Sequence, residues 1–124
     1  MRDVLFRGKR VDNGKWTEGY FFKSWDKVFL LWGMTGNSPN MEEVKPETVG
    51  QYTGLKDKNG KKIFEGDILL KGFENVSVKW NLNQCRWGIY SNNYEICGFN
   101  ESTQGYFEVI GNIYDNSELL EVEE

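Results

Sequence analysis

The sequence predicts a mainly β fold, namely a small SH3-like β-barrel with an added N-terminal β-hairpin layer. Three observations predict it. Two Asn-Gly pairs, Asn13-Gly14 and Asn59-Gly60, lie between strand-like segments, and short segments alternate apolar with polar residues. The chain of 124 residues also holds fourteen glycines but only two prolines. Short strands separated by such turn signals are typical of all-β barrels and sandwiches.

The central stretch, residues 49–70, carries the strongest turn signals. Asn59-Gly60 predicts a hairpin with a type I′ turn, which needs positive φ at both central residues. Glu65-Gly66-Asp67 predicts a second tight reversal, because the apolar residues Ile63-Phe64 precede it and Ile68-Leu69-Leu70 follow it. We therefore expect two consecutive corners of a β-barrel or sandwich here.

The N-terminal part predicts a hairpin followed by a buried strand. Leu5 to Val11 and Trp16 to Phe22 flank the Asn13-Gly14 turn. In the return strand, alternation places Trp16, Glu18, Tyr20 and Phe22 on one face, so neither face is cleanly apolar. The continuous apolar run Val28 to Trp32 predicts a strand buried on both faces.

The segment that follows is rich in turn formers. Gly33 to Asn40 predicts a loop, because its residues break any periodicity. Met41 to Lys45 predicts a short strand, and Pro46-Glu47-Thr48 predicts a turn or a single helical turn.

The second half of the chain predicts further short strands. They are expected at Val76–Trp80, Cys85–Tyr90, Tyr94–Cys97 and Tyr106–Ile110, with Cys85, Trp87 and Ile89 pointing inward. Ser117 is positioned to cap a short helical turn that ends at Leu120. The residues predicted to contribute to the core are Ile63, Ile68, Val76, Val78, Trp80 and Trp87.

The domain organisation expected from these elements is a single domain. Residues 1–32 form the N-terminal hairpin part, 33–48 a loop, 49–115 the barrel core and 116–124 an acidic tail. No repeat and no break in composition predicts a second domain.

Charge is unevenly distributed along the chain. Residues 1–86 hold all 15 basic residues and 11 of the 19 acidic ones, whereas residues 87–124 hold the remaining eight acidic residues and no basic one. This polarity is compatible with an internal pairing of the two parts, with head-to-tail association, or with a solvated acidic tail.

Catalytic, metal and cofactor sites are not predicted. The chain has no histidine, which removes the usual general base and the commonest metal ligand. Cys85 and Cys97 are too few for a structural zinc site on their own, and their spacing does not decide whether they are bonded. Glu65 and Asp67 share one strand face, as a carboxylate pair would need, but turn chemistry is the favoured explanation because it accounts for Glu65, Gly66 and Asp67 without a substrate.

Location follows from what the chain lacks. The first residues carry no apolar run of the kind found in signal peptides, and the longest apolar run, Val28 to Trp32, is too short to span a bilayer. The expectation is a cytoplasmic protein that has no membrane partner.

Two kinds of interaction surface are predicted. A protein interface, including one with further copies of the chain, is expected where aromatic residues exceed what a small core needs, and its candidates are Trp16, Tyr20, Phe22, Tyr90 and Tyr94. The alternative is a nucleic-acid surface on basic residues, as in small barrels that bind single strands. Its candidates are Arg7, Lys9, Arg10, Lys56, Lys58, Lys61 and Lys62.

Three sequence blocks resemble a known family. They are Phe6-Arg7-Gly8-Lys9-Arg10 with Asn13-Gly14-Lys15-Trp16 and Gly19-Tyr20, then Pro46 to Asp57 continued by Glu65-Gly66-Asp67-Ile68, and last Ile110-Gly111-Asn112-Ile113-Tyr114-Asp115. Together they resemble the YopX family of small proteins encoded by bacteriophages and prophages. The resemblance implies a phage or prophage origin, an SH3-like barrel and self-association, and it implies no activity.

The functional hypothesis from the sequence is therefore a non-enzymatic accessory protein. We expect it to bind other protein chains, among them copies of itself or an unknown host or phage protein, in the cytoplasm of the host bacterial cell. Nucleic-acid binding is the alternative.

Overall fold

The computed structural model of the protein describes residues 4–101 and 103–120. Within them the fold is mainly β, and the strands form two antiparallel sheets, one of six and one of five strands. Neither sheet closes into a barrel in this part of the chain, so the expected SH3-like barrel is not confirmed. The chain divides into two compact units, Met1–Tyr52 and Thr53–Glu124, and the fifth strand runs through the boundary.

The first unit is a meander of antiparallel strands. Its strands are β1 (Phe6–Lys9), β2 (Trp16–Ser24), β3 (Lys27–Thr35) and β4 (Ser38–Val44), and Gly50 and Gln51 at the start of β5 (Gly50–Lys56) pair with β1. The pairing order is β4-β3-β2-β1-β5. An isolated bridge between Arg10 and Val44 also joins the end of β1 to the end of β4.

One face of this sheet carries the core of the first unit. Val28, Leu30 and Val44 are buried, and Phe6 and Val49 pack against them. Gly8 lies over Val44, where an added Cβ would come within 3.1 Å of the valine side chain. The sheet therefore buries one face only.

Two expectations for the first unit were wrong. The run Val28–Trp32 is not buried on both faces, because Trp32 is 54% exposed and only alternate residues point into the core. The expected loop over Gly33–Asn40 is a hairpin between β3 and β4, since Thr35 pairs with Ser38. Gly36, with φ of 62°, supplies the left-handed first turn position, so the glycine that broke the sequence pattern is what allows the strands to pair.

The second unit contains the remaining strands. After β5 come β6 (Lys62–Phe64), β7 (Asp67–Lys71), β8 (Glu74–Asn81), β9 (Arg86–Ser91), β10 (Tyr94–Gly98) and β11 (Glu108–Asn112). The five-stranded sheet has the order β10-β9-β8-β7-β11. Short 3-10 turns lie at Pro46–Thr48, Gln104–Tyr106 and Ser117–Leu120, which confirms the helical turns expected after Lys45 and at Ser117.

The core of the second unit contains most of the residues that the sequence predicts. Five of the six expected core residues are buried, namely Ile63, Ile68, Val76, Val78 and Trp87. The prediction that Trp80 belongs to the core was wrong, because its side chain is 41% exposed. It is paired with Trp87 across β8 and β9, and the two rings meet edge to face at 5.1 Å, so Trp87 fills the core and Trp80 covers it from outside.

Two expected turn details also differ. At Asn59-Gly60 only Gly60 has positive φ (82°), so the turn is not type I′. The carboxylate of Asp57 accepts hydrogen bonds from the amides of Asn59 and Lys61, which holds a longer reversal in place. Cys85 does not point inward; it is exposed in the β8–β9 turn with φ of 51°.

Candidate functional site

Exposed apolar side chains cover one face of the first unit's sheet. Tyr20 and Phe22, both on the same face of β2, are 64% and 47% exposed. Tyr20 pairs across the strands with Leu31, and Phe22 pairs with Phe29, whose ring centroid lies 6.3 Å away. The structure therefore brings two of the five predicted interface residues together.

The same face extends to the next strand. Met41 on β4 pairs with Leu31 and is 45% exposed, while Glu43 pairs with Phe29 at the edge. We call the set Tyr20, Phe22, Phe29, Leu31 and Met41 the aromatic face. It is an apolar strip across three strands that ends at a carboxylate.

Trp16 is less accessible to a binding partner than Tyr20 and Phe22, because basic side chains lie over its ring. The guanidinium carbon of Arg7 lies 4.8 Å from the centre of a Trp16 ring, and the ammonium nitrogen of Lys9 lies 5.5 Å from it. These are cation–π distances, so two basic residues of β1 already cover the half-buried indole.

Arg10, the third predicted basic residue of this segment, forms ion pairs with two carboxylates. Arg10 Nη2 lies 2.7 Å from Asp12 and 3.1 Å from Glu42. The hydrogen bond from Arg10 lowers the pKa of Asp12, and the same bond raises the pKa of Arg10. Arg7, Lys9 and Arg10 therefore all have partners within the first unit.

Tyr90 and Tyr94 lie in the second unit. Tyr94 begins β10 and is 65% exposed. Tyr90 on β9 is half-buried, and the Lys79 ammonium lies 5.4 Å from the centre of its ring. The predicted interface residues are thus split between the two units.

The four predicted lysines of the second unit share one hairpin. We call residues 56–62 the lysine hairpin; Lys56, Lys58, Lys61 and Lys62 are all exposed on it. Asp57, in contrast, is buried, and each of its carboxylate oxygens accepts backbone hydrogen bonds. The acidic group in the hairpin is therefore used internally, whereas the lysines face solvent.

Glu65 and Asp67 adopt the arrangement expected of a tight turn. Gly66 has φ of 89°, and Asp67 Oδ2 accepts a hydrogen bond from the Phe64 amide at 2.8 Å. Asp67 is 1% exposed. Turn chemistry thus gives this carboxylate a structural role.

The sequence analysis missed one polar cluster. Glu95 on β10 accepts hydrogen bonds from Asn81 Nδ2 at 2.6 Å and from Arg86. These two bonds, from Asn81 first and then from Arg86, lower the pKa of Glu95. Its carboxylate lies over Gly88, where an added Cβ would come within 2.3 Å of it. Since the three residues come from different strands, only the register could have revealed them.

The residues that the structure describes assemble neither a metal site nor a disulfide bond. Among these residues there is no group of three or more potential ligands of the types Asp, Glu, Cys and His. Cys85 and Cys97 are both free thiols. None of the helices in residues 4–101 and 103–120 is long and apolar enough to cross a membrane.

The fold and surfaces define a small, two-sheet β protein with exposed aromatic and basic surfaces. The model of the YopX protein family matches residues 5–121, which is nearly the whole chain, and the protein therefore belongs to the YopX family. This confirms the resemblance seen in the sequence blocks.

A solved structure has a similar fold. The crystal structure of protein EF1440 from Enterococcus faecalis is 26% identical in sequence, with a TM-score of 0.60. The match covers 98% of this chain and all of that one. No curated protein matches the sequence.

Proposed function

We propose that this protein is a non-enzymatic accessory protein, of phage or prophage origin, that acts in the host cytoplasm by binding protein chains, first of all further copies of itself. The aromatic face is the observation that carries the proposal. Tyr20 and Phe22 on β2 and Met41 on β4 are each 45% or more exposed, and Phe29 and Leu31 of β3 lie between them. Contiguous exposed apolar side chains of this kind mark interaction surfaces.

The charges at the border of the aromatic face support a second copy as its occupant. Glu43 lies at the border of the aromatic face where the end of β1 meets the end of β4, since its carbonyl accepts a hydrogen bond from the Val11 amide at 3.0 Å. The border therefore carries an acidic side chain on β4 and the basic side chains of Arg7 and Lys9 on β1. If two copies pack through a two-fold axis, acidic side chains at the border of one copy can face basic side chains at the border of the other. The apolar strip would supply most of the affinity and the charged borders the orientation.

Internal roles of the carboxylates support a non-enzymatic protein. Asp57 and Asp67 bind backbone amides, and Glu95 binds Asn81 and Arg86. Hydrogen bonds within the fold therefore account for these three carboxylates without a substrate.

The experiment is light scattering of the wild-type protein over a concentration series. We expect oligomers that weaken when Tyr20→Ser and Phe22→Ser are combined. The control is Tyr106→Ser, because Tyr106 is 72% exposed but lies outside the aromatic face. Deleting residues 121–124 tests the acidic tail, and we expect it to weaken assembly less than the double substitution does.

Two results would contradict the proposal. A wild-type protein that stays monomeric at high micromolar concentration excludes self-assembly. Equal effects of the double substitution and of Tyr106→Ser would mean that the aromatic face is not the contact.

A further inference from the structure

The lysine hairpin is a concentrated and rigid positive surface. Four lysines lie within seven residues, and all four are exposed. The turn is fixed from inside, because Asp57 Oδ1 accepts hydrogen bonds from the Lys61 amide at 2.8 Å and the Asn59 amide at 2.9 Å. A ligand that binds there would not have to order the backbone first.

An exposed aromatic residue adjoins the segment that is hydrogen-bonded to this hairpin. The Lys58 amide donates a hydrogen bond to the carbonyl of Phe107 at 3.0 Å, and the residue before Phe107 is Tyr106, which is 72% exposed. Phe107 is buried against Phe99 with ring centroids 5.5 Å apart, so the backbone that carries Tyr106 is anchored in the core. A planar ring therefore stands in solvent one residue from the lysine turn.

Glu108 offsets the positive charge of Lys58. Its carboxylate accepts a hydrogen bond from Asn59 Nδ2 at 3.2 Å and lies 4.0 Å from Lys58 Nζ. That contact helps to fix the hairpin against β11, and all four lysine side chains stay exposed to solvent.

We infer that the lysine hairpin and Tyr106 form a binding surface for single-stranded nucleic acid. Phosphates would contact the lysines and one base would stack on Tyr106, because small β domains bind single strands by combining cationic side chains with aromatic platforms. A single strand is favoured over a duplex because only an unpaired base can stack on Tyr106. The inference is independent of the aromatic face and of self-assembly.

The structure also narrows the basic surface expected from the sequence. Arg7, Lys9 and Arg10 are half-buried and lie in the first unit, whereas all four lysines of the lysine hairpin are exposed. The inference therefore rests on the lysine hairpin alone and adds Tyr106, which sequence reasoning did not single out.

The test is fluorescence anisotropy with labelled oligothymidine and oligouridine of about 20 nucleotides, a length that spans one small-domain site. We expect binding at low ionic strength that weakens steeply with salt, because counterions are released from the phosphates. Lys58→Gln combined with Lys61→Gln should reduce the salt slope. Tyr106→Ala should weaken binding about tenfold, the loss expected for one stacked base.

Matched controls distinguish binding at the lysine hairpin from non-specific attraction of nucleic acid to any positive charge. Lys23→Gln with Lys27→Gln removes the same charge from another hairpin on which both lysines are exposed, and Tyr94→Ala removes a comparably exposed tyrosine. We expect neither control to change affinity by more than about twofold. A thermal melt of each variant verifies that it is folded.

Three results would overturn the inference. The first is absence of binding by the wild-type protein at low ionic strength. The second is an equal loss with the Lys23 and Lys27 control. The third is full competition by polyglutamate together with no effect of Tyr106→Ala, which would indicate an acidic protein segment as the ligand.

Discussion

Asp57 Oδ2 accepts a hydrogen bond from the Val109 amide at 2.9 Å, although the two residues are 52 positions apart in the sequence. The other carboxylate oxygen binds the amides of Asn59 and Lys61 within the β5–β6 turn. A single side chain therefore shapes a turn and fastens it to β11.

We predict that Asp57→Ala destabilises the protein by about 2–4 kcal/mol, because three backbone amides lose their acceptor in a place that is largely buried. Urea unfolding measures the change. Asp12→Ala is the control, since Asp12 makes a solvent-exposed ion pair with Arg10 and its loss should change the stability far less than the loss of Asp57. Equal effects of the two substitutions would contradict the role assigned to Asp57.

The stability should also depend on pH through Asp57. Burial, the largest single influence, acts to raise the pKa of Asp57, but the amides of Val109, Lys61 and Asn59 together outweigh it and the pKa is lowered. A lowered pKa in the folded state gives stability that is present above the unfolded pKa of about 3.9 and is lost as the pH falls through the folded value. Between pH 6 and pH 3, Asp57→Asn should therefore lose less stability than the wild type. Parallel pH profiles would count against this prediction.

The β2–β3 hairpin contains a strained tryptophan. Trp25 occupies the first position of the two-residue turn with φ of 60°, and its side chain is 93% exposed. A left-handed backbone conformation at a bulky residue raises the free energy of the folded state by about 1–2 kcal/mol. The exposed indole makes little packing contact, so packing offsets only a small part of this cost. We predict that Trp25→Gly stabilises the protein by about 0.5–1 kcal/mol and raises the melting temperature by about 2–4 °C.

Two variants show whether backbone strain is the cause. Trp25→Ser removes the indole but keeps a side chain at positive φ, so it should stabilise less than Trp25→Gly. Asn92→Gly changes a residue with φ of 57°, but asparagine tolerates this conformation, so the gain should be small. A larger gain at Asn92 than at Trp25 would refute the explanation.

The Trp80–Trp87 pair allows burial and hydrogen bonding to be separated. Trp87 is 7% exposed, and its buried Nε1 has no hydrogen-bond partner among the residues that the structure describes. We predict a cost of about 3–5 kcal/mol for Trp87→Ala, but below about 1.5 kcal/mol for Trp87→Phe, which removes the unsatisfied donor. Trp80→Ala should cost roughly 1 kcal/mol, because its side chain is 41% exposed. Chemical denaturation of the three variants tests this order.

Much of the β fold could be predicted because its signals are local. Alternation marked Val76 to Trp80, and the glycines at positions 60 and 66 marked turns where positive φ is observed. Gly33 to Asn40 was misjudged because glycine and proline interrupt a pattern without preventing two strands from pairing. Trp80 was misjudged because alternation assigns a face but does not indicate how far the core extends along a strand.

The candidate surfaces were predictable only in part, for a related reason. Tyr20 and Phe22 share a strand, so their common face follows from alternation. Tyr106 was missed, because its proximity to Lys58 depends on a hydrogen bond between residues 58 and 107. The cluster of Asn81, Arg86 and Glu95 likewise depends on the register of three strands.

The position of β1 between β2 and β5 has a consequence for synthesis on the ribosome. The pairing of β1 with β2 is local and can form early, but its other neighbour requires Gly50 and Gln51, which are translated seconds later. During that interval one edge of β1 lacks its partner strand and is open to pairing with a strand of another polypeptide. Charged residues on an outer strand oppose pairing with foreign strands. We therefore expect the charges of Arg7 and Lys9 on β1 to disfavour such pairing until β5 has been synthesised.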